Sequence, residues 1–183
     1  MTILILGGTG TLGRPTTELL RAAGRDVRVL SRHPAPDRIH GDLRSGEGLQ
    51  QAFEGVETVA HLALGANREA LFTQRVVDHA QRADVRHLFY ISIVGAEKNP
   101  LPYYRQKVES ERIIEQSGVP FSILRATQFH DLVAGIIRAQ RALPVYFSVR
   151  GFPLQPIDAA EVAHRVVEVL DAGPSGRVDD IGG

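Results

Sequence analysis

The stretch G-G-T-G-T-L-G (7–13) decides the fold. It follows the apolar run T-I-L-I-L (2–6), which predicts a buried strand, and it opens an amphipathic segment that predicts a helix from Thr11 to Ala23. Its glycines allow a tight turn and a close approach of the backbone to phosphate groups. A helix N-terminus adds free N–H groups and the positive end of the helix dipole. In this strand–turn–helix context the stretch predicts dinucleotide binding, with a purely structural turn as the alternative.

Short apolar runs alternate with longer amphipathic ones along the rest of the chain. The predicted strands cover 2–6, 26–31, 38–42, 57–63, 87–93 and 119–125, and an edge strand is possible at 177–181. The predicted helices cover 11–23, 67–83, 103–116 and a segment from Asp158, as N-cap, to about Leu170. A helical run after Gln128 and a proline-punctuated stretch at 143–156 are less regular. This alternation predicts an α/β fold with a parallel sheet and helices on both faces.

The composition is that of one ordinary globular domain. The chain has 183 residues, of which 43% are hydrophobic and 23% charged, and 21 basic residues balance 21 acidic ones. This balance gives no reason to expect nucleic acid or a membrane as a partner. The absence of cysteine excludes disulfides and thiolate catalysis, and it favours a cytoplasmic protein. No acid–histidine spacing indicates a metal site.

The end of the second predicted strand indicates which dinucleotide is preferred. A site for NAD usually has Asp or Glu here to accept hydrogen bonds from the ribose hydroxyls, but this strand ends V-L-S-R-H. Arg32 is suited to a 2′-phosphate, Ser31 offers a hydroxyl, and Arg14 is a candidate second charge. We therefore expect NADP(H) rather than NAD(H). The alternative is that Arg32 is a solvated loop residue.

Four motifs together resemble the short-chain dehydrogenase/reductase superfamily: the glycine turn, S-R at 31–32, G-D-L at 41–43 and Y-x-x-x-K at 103–107. R-A-T-Q-F-H-D (125–131) is similar to the atypical, NmrA-like branch. The resemblance implies a Rossmann-like doubly wound sheet of order 3-2-1-4-5-6, perhaps with a seventh strand. It also implies that Asp42 and Leu43 lie beside the adenine, although a turn role is equally open for Asp42.

The same resemblance implies that L-A-L-G (62–65) passes along the cofactor. Residues and resemblance together predict a cofactor-binding set, which comprises Gly7, Thr9, Gly10, Thr11, Leu12, Gly13, Ser31, Arg32, Asp42, Leu43, Leu62, Ala63 and Lys107.

Tyr103 and Lys107 are the candidate catalytic pair. On a helix they lie on one face, and a nearby ammonium would lower the pKa of the tyrosine toward working pH, making it a proton donor. In the family the lysine also binds the nicotinamide ribose, and a serine after the fifth strand completes the set. Ser92 is the candidate here, although the family's hydroxyl commonly falls one position later, at Ile93. The alternative for Tyr103 is that it packs the first turn of a helix, as Tyr104 also could.

The remaining candidates are weaker. Gln128, Phe129 and His130 follow the sixth strand, at the sheet edge where ligands bind, and are expected to line a substrate pocket. His61 is expected to be a core histidine. Glu109 and Glu111 are expected to be solvated.

We expect one NAD(P)-binding domain over 1–183, with a small substrate-side segment at about 127–160. Family members usually continue beyond a segment like D-I-G-G, so the resemblance implies that their C-terminal part is absent here; truncation, a naturally short chain and a partner subunit are the alternatives. The leading function is an NADP-dependent oxidoreductase acting on a small carbonyl or quinone-like substrate. The alternatives are a non-catalytic NADP(H)-sensing regulator of the NmrA type and an NAD(P)-dependent epimerase or dehydratase. By family analogy the helices at 67–83 and 103–117 are a possible homodimer face.

Overall fold

A computed structural model describes residues 1–33, 35–130 and 155–183. Within these ranges the strands are β1 Thr2–Leu6, β2 Asp26–Ser31, β3 Arg38–His40, β4 Thr58–His61, β5 His87–Ile93, β6 Phe121–Ala126 and β7 Gly176–Arg177. The α-helices are α1 Gly13–Ala22, α2 Leu49–Phe53, α3 Glu69–Arg82, α4 Pro102–Gln116 and α5 Ala159–Ala172. Short 3₁₀ turns at Ala66–Arg68 and Ala96–Lys98 precede α3 and α4.

The strands form one parallel sheet in the order β3-β2-β1-β4-β5-β6-β7, which confirms the predicted Rossmann-like order with its seventh strand. Leu6, the last residue of β1, lies opposite Leu30 of β2 and His61 of β4. The loops after these three strands therefore leave the same edge of the sheet. The strand order reverses at β1, and open α/β sheets bind ligands at such a point.

Two apolar layers cover the sheet, one on each face. Leu4 and Leu6 of β1 belong to the core beneath α2, α3 and α4, whereas Ile3 and Ile5 belong to the core beneath α1 and α5. Successive side chains of a strand point to opposite faces, so a strand covered on both sides is apolar at every position. This explains why the run at 2–6 shows no polar alternation.

Several boundaries differ from the predictions. The first helix begins at Gly13 rather than Thr11, because residues 7–12 are taken up by the turn. The last strand covers two residues rather than 177–181, and Ile181 adds an isolated bridge to Ala126. The sequence analysis missed α2, whose five residues are too few to show a helical period.

The C-terminal helix agrees with its predicted cap. The carboxylate of Asp158 accepts a hydrogen bond from the backbone N–H of Ala160 at 2.8 Å. Most of the predicted substrate-side segment and the helical run after Gln128 lie outside the described residues, as does nearly all of the proline-punctuated stretch. Among the described helices, none is long and apolar enough to cross a membrane.

Candidate functional site

A cleft of about 1310 Å³ opens at the carboxyl edge of the sheet. It runs from the loops after β1 and β2, past the loop after β4, to the first turns of α4 and the end of β6. Every residue of the predicted cofactor-binding set lines it. The fold thus brings these residues together, and their contact with a cofactor stays a prediction.

The glycine turn leaves its backbone open to the cleft. Gly7 has a φ of +86°, and a Cβ on it would lie 2.7 Å from the Cα of Ala63, so the turn packs directly onto the chain leaving β4. A Cβ on Gly13 would lie 2.6 Å from the Cα of Gly8. Gly10 differs, because a Cβ there would meet only the carbonyl oxygen of Gly7, at 3.3 Å. The space beside Gly10 and the N-terminus of α1, which has no acidic residue in its first turn, fit a pyrophosphate.

The chain leaving β2 presents one arginine, Arg32, to the cleft. Arg32 is exposed, lines the cleft and pairs with no carboxylate in the described part of the chain. Ser31 is buried, and its Oγ accepts a hydrogen bond from the N–H of His33 at 3.1 Å. The Nε of Arg14 donates to the carbonyl of Thr9 at 2.9 Å, and Arg14 is not among the lining residues. The additional cations at the cleft are instead Arg44 and Arg68, which the sequence analysis missed.

Asp42 forms a turn and also lines the cleft, so its two proposed roles do not exclude each other. Its Oδ1 accepts a hydrogen bond from the N–H of Arg44 at 2.8 Å. The loop is held from α3 by Arg75, whose Nη1 donates to the carbonyl of Leu43 at 2.6 Å and to that of Arg44. No sequence motif indicates this contact, because Arg75 lies more than thirty positions further along the chain.

Lys107 is buried in the other half of the cleft. Its Nζ lies 2.8 Å from Oε1 of Glu69, donates to the carbonyl of Ile91 at 3.1 Å, and lies 4.8 Å from the centroid of the Tyr90 ring. Lys107 is 4% exposed and lines the cleft, as predicted for a cofactor contact. Its carboxylate partner was not predicted.

Glu69 is the first residue of α3 and is fully buried. Besides Lys107, its carboxylate accepts hydrogen bonds from the hydroxyl of Tyr90 at 3.2 Å and from the backbone N–H of Gly65. Burial alone would raise the pKa of Glu69, but Lys107, His61 and the backbone N–H of Gly65 together outweigh burial and hold that pKa below its usual value. Glu69 and Lys107 therefore form an ionised pair.

Tyr103 is half-buried and lines the cleft, with its ring edge-on to that of Tyr104 at 5.5 Å between centroids. Burial raises the pKa of Tyr103, and the negative charge of Glu69 raises it further. The expectation that Lys107 lowers the pKa of Tyr103 is therefore wrong. The physical reason is first that burial disfavours the phenolate, and second that the ammonium is paired with the carboxylate of Glu69, which also acts on this phenol.

The other catalytic and substrate-pocket candidates differ in whether they line the cleft and in how exposed they are. Ser92 and Ile93 both line the cleft, but Ser92 is only 2% exposed and Ile93 is the more accessible. Gln128 and Phe129 also line the cleft. His130 is exposed and is not among the lining residues.

His61 is a core histidine, as predicted. It is fully buried, its Nε2 lies 3.2 Å from the hydroxyl of Thr73, and that hydroxyl donates to Ser110 at 3.0 Å. Burial lowers the pKa of His61 to about 4, so the ring is neutral at physiological pH.

Glu111 is buried rather than solvated, so that expectation was wrong. Its carboxylate accepts two hydrogen bonds from Arg125, at 2.9 and 2.7 Å, and lies 2.9 Å from a guanidinium nitrogen of Arg177. Two guanidinium groups compensate the buried charge and join α4 to β6 and β7. Glu109 is exposed, as expected.

Comparison with known proteins identifies relatives that match most or nearly all of this chain. The chain is 28% identical over 163 residues to Photosystem II assembly factor Ycf39 of Trieres chinensis, a match that covers 79% of this chain and 50% of that protein. It is 24% identical over 197 aligned residues to Quinone oxidoreductase 2 of Escherichia coli, covering 99% of this chain and 68% of that protein. The chain thus spans half the length of the first relative and about two thirds of the second.

A solved structure has the same fold as the described part of this chain. Triphenylmethane reductase of Citrobacter sp., complexed with NADP(H), superimposes with a TM-score of 0.82 at 21% identity, covering all of this chain and 70% of that one. The family model described as NAD(P)H-binding matches residues 7–172. These matches confirm the superfamily resemblance seen in the motifs, and the chain belongs to the NAD(P)H-binding family.

Proposed function

We propose that the protein is an NADP(H)-dependent oxidoreductase of the atypical short-chain dehydrogenase/reductase type, acting on a small carbonyl or quinone-like acceptor. The observation that carries the proposal is the single cleft that joins the glycine turn, Arg32 and Lys107. The glycine turn and Arg32 are suited to a dinucleotide, and an acceptor would lie beside Lys107, Gln128 and Phe129 in the same cleft. The names of a quinone oxidoreductase and a triphenylmethane reductase among the similar proteins support this reading.

The preference for NADP(H) rests on Arg32. The guanidinium of Arg32 at the end of β2 is exposed and has no carboxylate partner in the described ranges, so it is suited to a 2′-phosphate. It stands where a site for NAD usually has an acid that accepts hydrogen bonds from the ribose hydroxyls. Arg44 and Arg68 add positive charge to the lining. The nicotinamide, when bound, supplies hydride to the acceptor. The chain's own residues bind the phosphates, orient the ribose and hold the acceptor.

Fluorescence titration with NADPH and NADH tests the cofactor preference. We expect NADPH to bind at least about tenfold more tightly, because one charge-assisted contact to the 2′-phosphate has roughly this value. Arg32→Ala should remove the difference while leaving NADH affinity unchanged. Arg25→Ala is the matched control, since Arg25 lies at the other end of β2 and pairs with Asp171. Equal affinity of the unchanged protein for the two cofactors would contradict the preference.

Oxidation of NADPH in the presence of quinones and small aldehydes tests the oxidoreductase activity. Turnover with either class supports the proposal. Tight NADPH binding without turnover across both classes would favour the second candidate, a non-catalytic NADP(H)-sensing protein. The observation behind that candidate is the raised pKa of Tyr103, caused by burial and by Glu69, which makes the phenol a weak acid at neutral pH.

A further inference from the structure

Glu69 connects three segments that line or support the cleft. Its carboxylate binds Lys107 of α4, the hydroxyl of Tyr90 in β5 and the backbone N–H of Gly65 in the loop after β4. The loop also packs tightly against it, because a Cβ on Gly65 would lie 2.7 Å from the Cα of Glu69. A shift of Glu69 would therefore move both the lysine and the loop.

Lys107 has three N–H donors, and the residues that the structure describes accept hydrogen bonds from two of them. Glu69 and the carbonyl of Ile91 accept these two hydrogen bonds from a side chain that is almost fully buried. Lys107 nevertheless lines the cleft, so its third N–H is the one available to a ligand oxygen there. Two fixed acceptors restrict the rotation of the ammonium, and this gives the third donor a defined direction.

The same carboxylate sets the electrostatic environment of the cleft. An unpaired ammonium one helical turn from Tyr103 would favour a phenolate. Here Glu69 lies 2.8 Å from that ammonium. We infer that Glu69 is a positioning residue, which directs the third N–H of Lys107 at a nucleotide oxygen and compensates the lysine charge that would otherwise act on Tyr103.

This inference rests on the proposed function and narrows the class of acceptor that the enzyme would reduce. Hydride transfer from NADPH to an aldehyde or ketone forms a strongly basic alkoxide that needs a proton during the step. Transfer to a quinone forms a hydroquinone anion that takes its proton from water afterwards, so that quinone, NADPH and one proton give hydroquinone and NADP⁺. A neutral tyrosine beside a compensated lysine is a poor acid, so the site is suited to the quinone-like acceptor.

A spectrophotometric tyrosine titration tests the charge on Tyr103 without cofactor or turnover. The chain has four tyrosines and no tryptophan, so tyrosinate absorbance is measured without an indole background. The contribution of Tyr103 is the difference between each protein and its Tyr103→Phe counterpart. At the highest pH at which all the variants stay folded, we expect the ionised fraction of Tyr103 to be larger in Glu69→Gln than in the unchanged protein, although burial still holds the pKa of Tyr103 above its usual value. Glu111→Gln, which removes the buried carboxylate of the Arg125 pair, should leave that fraction unchanged. An unchanged fraction in Glu69→Gln would overturn the inference.

A double-mutant cycle tests whether Glu69 acts through Lys107. NADPH affinity is measured for Glu69→Gln, Lys107→Met and the double variant. We expect each single change to weaken binding about tenfold, and the double variant to bind no worse than Lys107→Met alone. Additive losses would show that Glu69 acts independently and would overturn the inference.

The double variant also covers the case in which Glu69→Gln does not fold. It buries no unpaired charge, and such replacements of buried ion pairs are often tolerated. Its NADPH affinity is then compared with that of Lys107→Met alone, and a further loss in the double variant would again overturn the inference. Both measurements are independent of catalysis. A protein that binds NADPH without turnover would contradict the proposed enzyme while leaving the role of Glu69 intact.

Discussion

The two halves of the cleft are built in different ways. The glycine-turn half consists of backbone and of contacts between near neighbours, such as Gly10 with Gly7 and Asp42 with Arg44. The half around Lys107 depends on side chains that are far apart in sequence, since Glu69 and Lys107 are separated by 38 positions. Short-range motifs therefore identify most of the first half, although they miss Arg44, Arg68 and the contact of Arg75. In the second half they identify the residues but not their charge environment.

The largest effect is expected from a side chain placed inside the glycine-turn half. Gly10→Val should weaken NADPH binding roughly a thousandfold, because the side chain would fill the space beside the turn and remove about two phosphate hydrogen bonds worth about 4 kcal/mol together. Among the described residues only the carbonyl of Gly7 lies near this position, so the melting temperature should change little. Titration calorimetry and thermal unfolding measure the two quantities.

Gly24→Ala is the control for Gly10→Val. Gly24 has a φ of +72° at the end of α1, far from the cleft lining, so alanine there should lower stability without changing NADPH affinity. If Gly10→Val bound NADPH as tightly as the unchanged protein, the pyrophosphate would not lie at this turn. The two halves of the cleft would then need to be assigned differently.

The buried side chain of His61 makes the free energy of unfolding depend on pH. The folded-state pKa of His61 is about 4 because of burial, whereas an unfolded histidine titrates near 6.5. Between these values the unfolded chain binds more protons, so stability is lost as the pH falls from about 6.5 to about 4. His61→Gln should remove roughly 2–3 kcal/mol of this loss.

Urea unfolding at several pH values between 7 and 4 measures the loss. His87, whose pKa burial also lowers to about 4, contributes in the same direction and should leave a residual dependence in His61→Gln. His164→Gln changes an exposed histidine on α5 and supplies the baseline. A slope in His61→Gln equal to that of the unchanged protein would show that His61 is not held neutral by the fold.

The sequence predicted the alternation of strands and helices and the glycine turn because these depend on local features, whereas the sheet order followed from the family resemblance. The glycine turn, the buried strand at 2–6 and the Asp158 cap each act within a few residues of the chain. Glu69, Glu111 and Arg75 were missed or misread for the opposite reason. Charged residues on amphipathic helices are usually solvated. Only the packing of α3 and α4 on the sheet shows that Glu69 lies beside a lysine, Glu111 beside two arginines and Arg75 beside a loop carbonyl.

Arg75 tests how far the glycine-turn half also depends on a distant side chain. Arg75→Ala should release the loop at Leu43 and Arg44 and weaken NADPH and NADH binding by a similar factor, about fivefold to tenfold. This equal loss differs from that of Arg32→Ala, which should affect NADPH alone. Arg82→Ala, an exposed arginine at the end of the same helix, is the control. A loss confined to NADPH would instead assign Arg75 to the 2′-phosphate.

The smallest effect is expected from Tyr103→Phe in quinone reduction. Burial and Glu69 raise the pKa of Tyr103, so the phenol stays neutral at every pH at which the enzyme would be assayed, and a quinone needs no acid during hydride transfer. We expect kcat with a quinone to change less than about twofold, and any aldehyde activity to fall more than tenfold, the ordinary contribution of a general acid. Steady-state kinetics with both acceptors at one NADPH concentration measure the ratio of kcat in Tyr103→Phe to kcat in the unchanged protein. A tenfold loss of kcat with the quinone would show that Tyr103 donates a proton in spite of Glu69. Tyr103 and Lys107 would then act as the Y-x-x-x-K motif predicts.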